Sequence, residues 1–166
     1  MNRDEMVELW EMHQQYEFGG KDADLAVSTM VADASVMHLP TMSGGSGRDE
    51  LRRYYAEVFI PGIPDGTTNE PIARSVGDDF LVDQAIMSMP HDREIPFLLP
   101  GLEPTGRTIE VPFVVIVNFR GDLMQSERLY WDQAGVLSQL GLLSQKDLPL
   151  AAAAHVANFL RQDAAR

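Results

Sequence analysis

The chain has 166 residues, 13 Lys plus Arg against 25 Asp plus Glu, a formal net charge of −12, and no cysteine. A surface that acidic repels phosphate backbones and argues against nucleic acid as a partner. The missing thiols exclude disulfides, cysteine nucleophiles and cysteine-based zinc sites. The start, MNRDEMVELW, is charged where a secretory leader needs an apolar core, and no apolar run approaches membrane length. A cytoplasmic, membrane-free protein forming one domain over residues 1–166 is the expectation.

The first sixty or so residues predict helices with one extended insert. Asn2 with Glu5 has the form of a capping box, and Met6, Leu9, Trp10, His13 and Tyr16 recur at helical spacing. On this reading His13, like His155 near the other end, belongs on a helix surface. Asp22 is placed to cap a second short helix. Ala34 to Leu39 predicts a strand ended by Pro40, and Ser43 to Gly47 a loop. A third helix is expected from Ser46–Asp49 to Phe59, stopped by Pro61.

Strands follow. Ile72 to Val76 and Phe80 to Met89 predict a hairpin across Gly77-Asp78-Asp79. Pro90 to Gly106 is long for a hairpin link and holds Pro90, Pro96, Pro100 and Pro104. Such loops are often functional, and Phe97, Leu98, Leu99 and Leu102 are too hydrophobic for a freely solvated one, so the loop is expected to close over a cavity. Val111 to Phe119 and Leu123 to Trp131 predict a second hairpin across Arg120-Gly121-Asp122, followed by a short helix ending at Gly141. The segment LAAAAHVANFLRQ, rich in strong helix formers, closes the chain. Helices first and an antiparallel meander after them give an α+β fold with helices covering one face of a curved sheet. Val111 to Phe119 is apolar at almost every position, which suits a sheet whose other face is covered by a second copy in a homodimer.

The ordered set Pro104-Thr105-Gly106-Arg107, the Arg120-Gly121-Asp122 turn, Glu127, and Trp131-Asp132 followed by Leu137-Ser138-Gln139-Leu140-Gly141 resembles the SnoaL-like proteins of the nuclear-transport-factor-2-like superfamily, which also holds ketosteroid isomerase and scytalone dehydratase. Arg128 stands where many relatives carry tryptophan, and the loop after His91 is longer than usual. The resemblance implies a cone-shaped, curved antiparallel sheet wrapped by N-terminal helices, often dimerised through its outer face. It further implies proton-transfer chemistry without metal or organic cofactor (isomerisation, cyclisation or dehydration) or, in non-catalytic members, ligand binding alone. It sets His91 near a histidine of the polyketide cyclases and Asp132 on a recurrent aspartate.

Cofactor-free proton transfer needs a base working near neutral pH and a donor for the developing oxyanion. His91, at a strand end before the long loop, and Asp132, at the end of the last strand, are the candidate catalytic pair. Their alternative roles are a hydrogen-bonded strand-end histidine and a helix cap. The pocket is expected to hold a small apolar or aromatic molecule, carbonyl-containing or polycyclic, against His38, Tyr54, Phe59, Phe97, Glu127, Tyr130 and Trp131. His38 alternatively is a satisfied core histidine, and Glu127 alternatively pairs with Arg107 or Arg120 across strands. Because neighbours on a strand alternate faces, Glu127 and Asp132 cannot both enter one cavity without a bulge. No pair of histidines has metal-ligand spacing on a helix, so neither metal nor cofactor is expected.

Overall fold

A computed structural model describes residues 1–166 other than 145 and 147. Helix α1 (Arg3–Gln14) begins at the expected capping box: Glu5 N–H donates to Asn2 Oδ1 at 3.0 Å, and Asn2 N–H to Glu5 Oε2 at 2.7 Å. Its buried residues are Met6, Trp10 and His13, which fall on one face. His13 therefore does not lie on the surface as its helix suggested, because the stripe begun by Met6 and Trp10 carries it inward. A π-helical turn, Gln15–Gly19, extends α1, and Asp22 caps α2 (Ala23–Ser28) by accepting from Leu25 N–H.

Strand β1 (Met30–His38) begins earlier than expected, and the glycine-rich segment thought to be loop forms β2 (Ser43–Ser46), antiparallel to β1. Gly44 makes this pairing possible: at φ +153°, a Cβ there would sit 2.0 Å from the Val36 carbonyl oxygen. Helix α3 (Arg48–Tyr54) starts after Gly47 rather than at Ser46, whose N–H is taken by Glu50 Oε2. It runs into a second π-helical turn, Tyr55–Phe59, and a final turn α4 (Ile60–Gly62) that admits Pro61 in its first positions.

The remaining strands are β3 (Thr68–Val76), β4 (Phe80–Pro90), β5 (Thr108–Arg120) and β6 (Leu123–Trp131), in a six-stranded sheet of order β2-β1-β6-β5-β4-β3. Both predicted hairpins are present. The sheet is not purely antiparallel: β1 lies parallel to β6, the other four pairings being antiparallel. Parallel neighbours need a long crossover, which the whole span from β2 to β5 supplies. Helices α5 (Gln133–Gln139) and α6 (Ala153–Ala164) follow, and α6 is tied to the sheet where Arg161 meets Glu110 and Glu70. No helix among the described residues is long and apolar enough to cross a membrane.

Along β5 the apolar run resolves into alternation. Ile109, Val111, Phe113, Val115, Val117 and Phe119 are buried, while Pro112, Val114 and Ile116 stay half-buried on the other face. The inward row meets Met6, Trp10, Leu51, Tyr55 and Phe59 from the helices in one core. Each such side chain fully buried stabilises the fold by roughly 1.5–3 kcal/mol. The segment between β4 and β5 contributes Ile95, Phe97, Leu98 and Leu99 to the same core, as its composition predicted.

A register break on β6 positions the site. Asn118 pairs with Ser126 but Phe119 pairs with Met124, so Gln125 is an extra residue, exposed at a bulge. Met124 and Glu127 both point inward although three positions apart, and beyond the bulge Glu127, Leu129 and Trp131 continue the inner row.

Candidate functional site

Between the inner sheet face and the helices lies a partly open cavity of about 40 Å³. That is room for roughly three waters, so its closed part admits a small group rather than a ring system. Its walls are chiefly apolar: Phe59 from the second π turn, Met87 and Met89 from β4, Phe97 and Leu98 from the following segment, Phe113 from β5, and Trp131 from β6. Glu17, Glu127 and His38 also line it. Through Gln14, Asn69, Phe113 and Val115 it adjoins a wider cleft of about 530 Å³ between α1 and the β3–β4 hairpin.

The buried polar cluster is built on His13. Its Nδ1 lies 2.7 Å from Thr29 Oγ1, and the Thr29 hydroxyl itself donates to the Ala26 carbonyl oxygen at 2.7 Å. Thr29 has thus given away its only proton, so His13 Nδ1–H must be the donor between them. His13 Nε2 then faces Glu17 Oε1 at 3.0 Å and the Tyr55 hydroxyl at 3.1 Å. Glu127 Oε2 is 3.6 Å from Nε2, close enough for an ion pair and too long for a hydrogen bond. This Oε2 is buried and has no hydrogen-bond partner among the described residues. The cluster joins α1, its π turn, the second π turn and β6, and π turns frequently mark functional sites.

Burial by itself would lower the His13 pKa, but the Glu17 charge, followed by the interactions with Glu127, raises it to about 10. His13 is an imidazolium at neutral pH. Burial, reinforced by the Glu17 charge, pushes the Glu127 pKa up against the opposing pull of His13. His38, 3% exposed, is moved the other way: burial lowers its pKa to about 4 despite the Glu127 charge, so it is neutral. Its Nδ1 meets the Tyr54 hydroxyl at 2.9 Å, and burial raises the Tyr54 pKa. Two titratable groups on one cavity, displaced in opposite senses, are the raw material of acid–base chemistry. The donor atoms of His13, Glu17 and Glu127 also lie within 4.8 Å of one another, the group among the described residues best able to hold a divalent ion.

Of the residues expected to bind substrate, His38, Phe59, Phe97, Glu127 and Trp131 line the cavity. Tyr54 stands behind His38 rather than on the wall. Tyr130 is 42% exposed and belongs to the opposite face of β6, as strand alternation requires. Neither His91 nor Asp132 lines the cavity. His91 is buried where β4 ends: its N–H donates to the Arg107 carbonyl oxygen, its own carbonyl accepts from Gly106 N–H, and Nδ1 accepts from Thr105 N–H at 3.3 Å. Its Nε2 is buried without a hydrogen-bond partner among the described residues. Asp132 is exposed at the start of α5, beside a separate shallow pocket with Gly135 and Gln139, and its side chain makes no capping bond. Arg120 pairs with Asp33, and Arg107 donates to the Gln139 carbonyl oxygen, so neither partners Glu127. The sequence reading missed His13, Glu17 and Tyr55. The available signal was the i, i+4 spacing of His13 and Glu17 directly after Trp10, on the apolar face of a helix.

No protein-family model matches the sequence, and no curated protein matches it. Solved structures do. A SnoaL-like protein from Jannaschia sp. CCS1, assigned as a candidate polyketide cyclase, superposes with a TM-score of 0.69 at 19% identity, covering 86% of this chain and 95% of that one. The fold is that of the nuclear-transport-factor-2-like proteins, SnoaL-like in form. A ketosteroid isomerase-like protein from Catenulispora acidiphila, solved with trimethylamine, gives 0.61 at 16% identity over 81% and 93% of the two chains. The epoxide hydrolase/cyclase-like enzyme SalBIII, of pyran-ring formation in salinomycin, gives 0.57 at 16% identity over 78% and 91%. At these identities the likeness is one of fold.

Proposed function

We propose that the chain is a cofactor-free enzyme of the isomerase or cyclase kind that moves a proton on a small organic substrate bound in the inner cavity. Glu127 carries the proton. The supporting observation is its Oε2: buried, without a hydrogen-bond partner, on the cavity wall and 3.6 Å from the His13 imidazolium. A lone buried carboxylate oxygen is costly unless protonation or a ligand satisfies it. Burial has raised its pKa toward the range where one carboxyl can both accept and return a proton. His13, oriented by Thr29, supplies a fixed positive charge that stabilises the carboxylate after it has given its proton up. Neutral His38 is the second polar group on the wall: with Nδ1 taken by the Tyr54 hydroxyl, Nε2 donates to a substrate carbonyl or hydroxyl in one tautomer and accepts from a hydroxyl in the other.

Deuterium exchange at the α-carbon of small ketones in D2O, followed by NMR, tests this directly. The wild-type chain is expected to accelerate exchange, and Glu127→Gln to lose ~10²–10⁴-fold of that acceleration while keeping its melting temperature. A wild-type chain that binds such ketones without exchanging them is a binding protein, and the enzymatic reading fails. The same reading carries a homodimer formed through the half-buried face of β5, burying ~1,600 Å² or more in total. Sedimentation as a monomer at micromolar concentration refutes that pairing.

A further inference from the structure

The charges around the cavity select among ligands. Two carboxylates, Glu17 and Glu127, line its inner part beside Phe59, Phe97 and Trp131, and its lining contains no lysine or arginine. The Phe59 and Phe97 ring centroids are 4.8 Å apart, and His38 lies 5.4 Å from each. The adjoining cleft has the same sign. Its guanidinium, Arg74, is held through Nε and Nη2 by Asp83 at 2.6 and 2.8 Å and through Nη1 by Glu11 at 2.7 Å. Two carboxylates thus surround one cation already committed to them, and Trp10 Nε1–H also donates to Asp83. The His13 imidazolium, 3.0 Å from Glu17 and 3.6 Å from Glu127, balances one of the two inner carboxylates, so an anionic guest would still meet net like charge along the path, in a chain of net charge −12. A neutral apolar guest would fill the walls yet leave Glu127 Oε2 unpartnered.

We propose that the inner cavity takes a small alkylammonium group, its charge held by the Glu127 and Glu17 carboxylates and its alkyl surface packed on Phe59, Phe97 and Trp131, with the rest of the ligand in the outer cleft. The dimensions agree: about 40 Å³ inside suits a compact head group, and about 530 Å³ outside suits a larger body. Aromatic faces add attraction for a cation that an uncharged group of the same shape does not receive. The proposal rests on the reading of this cavity as the ligand site and narrows that reading to substrates bearing an amine.

The test compares choline with its uncharged isostere, in which carbon replaces the quaternary nitrogen. The chain has 2 tryptophans, Trp10 and Trp131, and both line the inner cavity, so intrinsic fluorescence reports its occupancy without a label. Choline is expected to change the emission saturably, with a dissociation constant roughly tenfold or more below that of the isostere. Glu127→Gln is expected to remove most of the preference while the isostere still binds, and the wild-type comparison stands even if that variant does not fold. Equal or tighter binding of the isostere to the wild type overturns the cation assignment and leaves the cavity as a ligand site. A response to neither probe, or to zinc or magnesium chloride alone, also overturns it. Ketone exchange in the same preparation then tells whether the acid–base reading falls as well.

Discussion

Two buried histidines of this molecule sit in contrasting surroundings. His13 and His91 are both 0% exposed. His13 sits between two carboxylates and is held charged, whereas His91 is surrounded by backbone and Thr105, with no acidic side chain among its hydrogen-bond partners. Burial alone makes a histidine part of the scaffold. Burial together with opposite charge, beside a cavity, gives a group whose protonation a ligand can exploit.

The sharpest way to break that contrast is through rate. Glu127→Gln should remove ~10²–10⁴-fold of ketone exchange and His91→Ala should leave exchange unchanged. The opposite pattern would move the chemistry to the β4 end. The next largest effect is on stability. His13→Leu leaves two buried carboxylates without their cation, and a loss of about 3–5 kcal/mol is expected by urea unfolding. Wild-type stability should fall on the alkaline side for the same reason. The His13 pKa is raised from 6.5 to about 10, so its contribution is complete below about 6.5 and is lost as pH rises through about 10. Glu127, also raised, acts in the same sense. A melting temperature that is flat from neutral pH to about 10 would refute the buried ion pair.

His91→Ala should cost less, about 1–3 kcal/mol, because it removes packing and the acceptor that Thr105 N–H uses. Asp132→Asn should be smallest, within about 0.5 kcal/mol, since its exposed side chain makes no capping bond. A large rate loss in Asp132→Asn would restore it to the chemistry.

The architecture was legible because hydrophobic periodicity and turn residues act locally. The Asn2–Glu5 capping box, the Asp22 cap and the hairpin turns at Gly77-Asp78-Asp79 and Arg120-Gly121-Asp122 all form where their residue types dictate. The parallel pairing of β1 with β6 was not legible, since it joins segments some ninety positions apart and depends on packing (Met30 beside Met124). The site was read half correctly for a similar reason. The aromatic wall could be inferred from single residues, but the partners of Glu127 could not. His13 looked like a polar residue on a helix and is drawn inward by its neighbours Met6 and Trp10, while two π-helical turns swing Glu17 and Tyr55 toward it. Strand arithmetic correctly barred Glu127 and Asp132 from sharing a cavity. The bulge at Gln125 lies on the other side of Glu127 and leaves that exclusion intact.

That exposed glutamine gives chain length a part in this protein's history. Deleting it would leave every side chain of the cluster in the sequence. It would also remove the bulge and leave Met124 and Glu127 two positions apart, both still facing inward with Ser126 between them facing out, because side chains on a strand repeat every second residue. The bulge therefore absorbs one residue of chain length on the outer face, and a single codon lost there would leave the cavity lining unaltered. Among chains of this fold, the spacing between the Gly121 turn and the acidic residue on the last strand would then be free to differ by one while that residue keeps its place on the cavity wall.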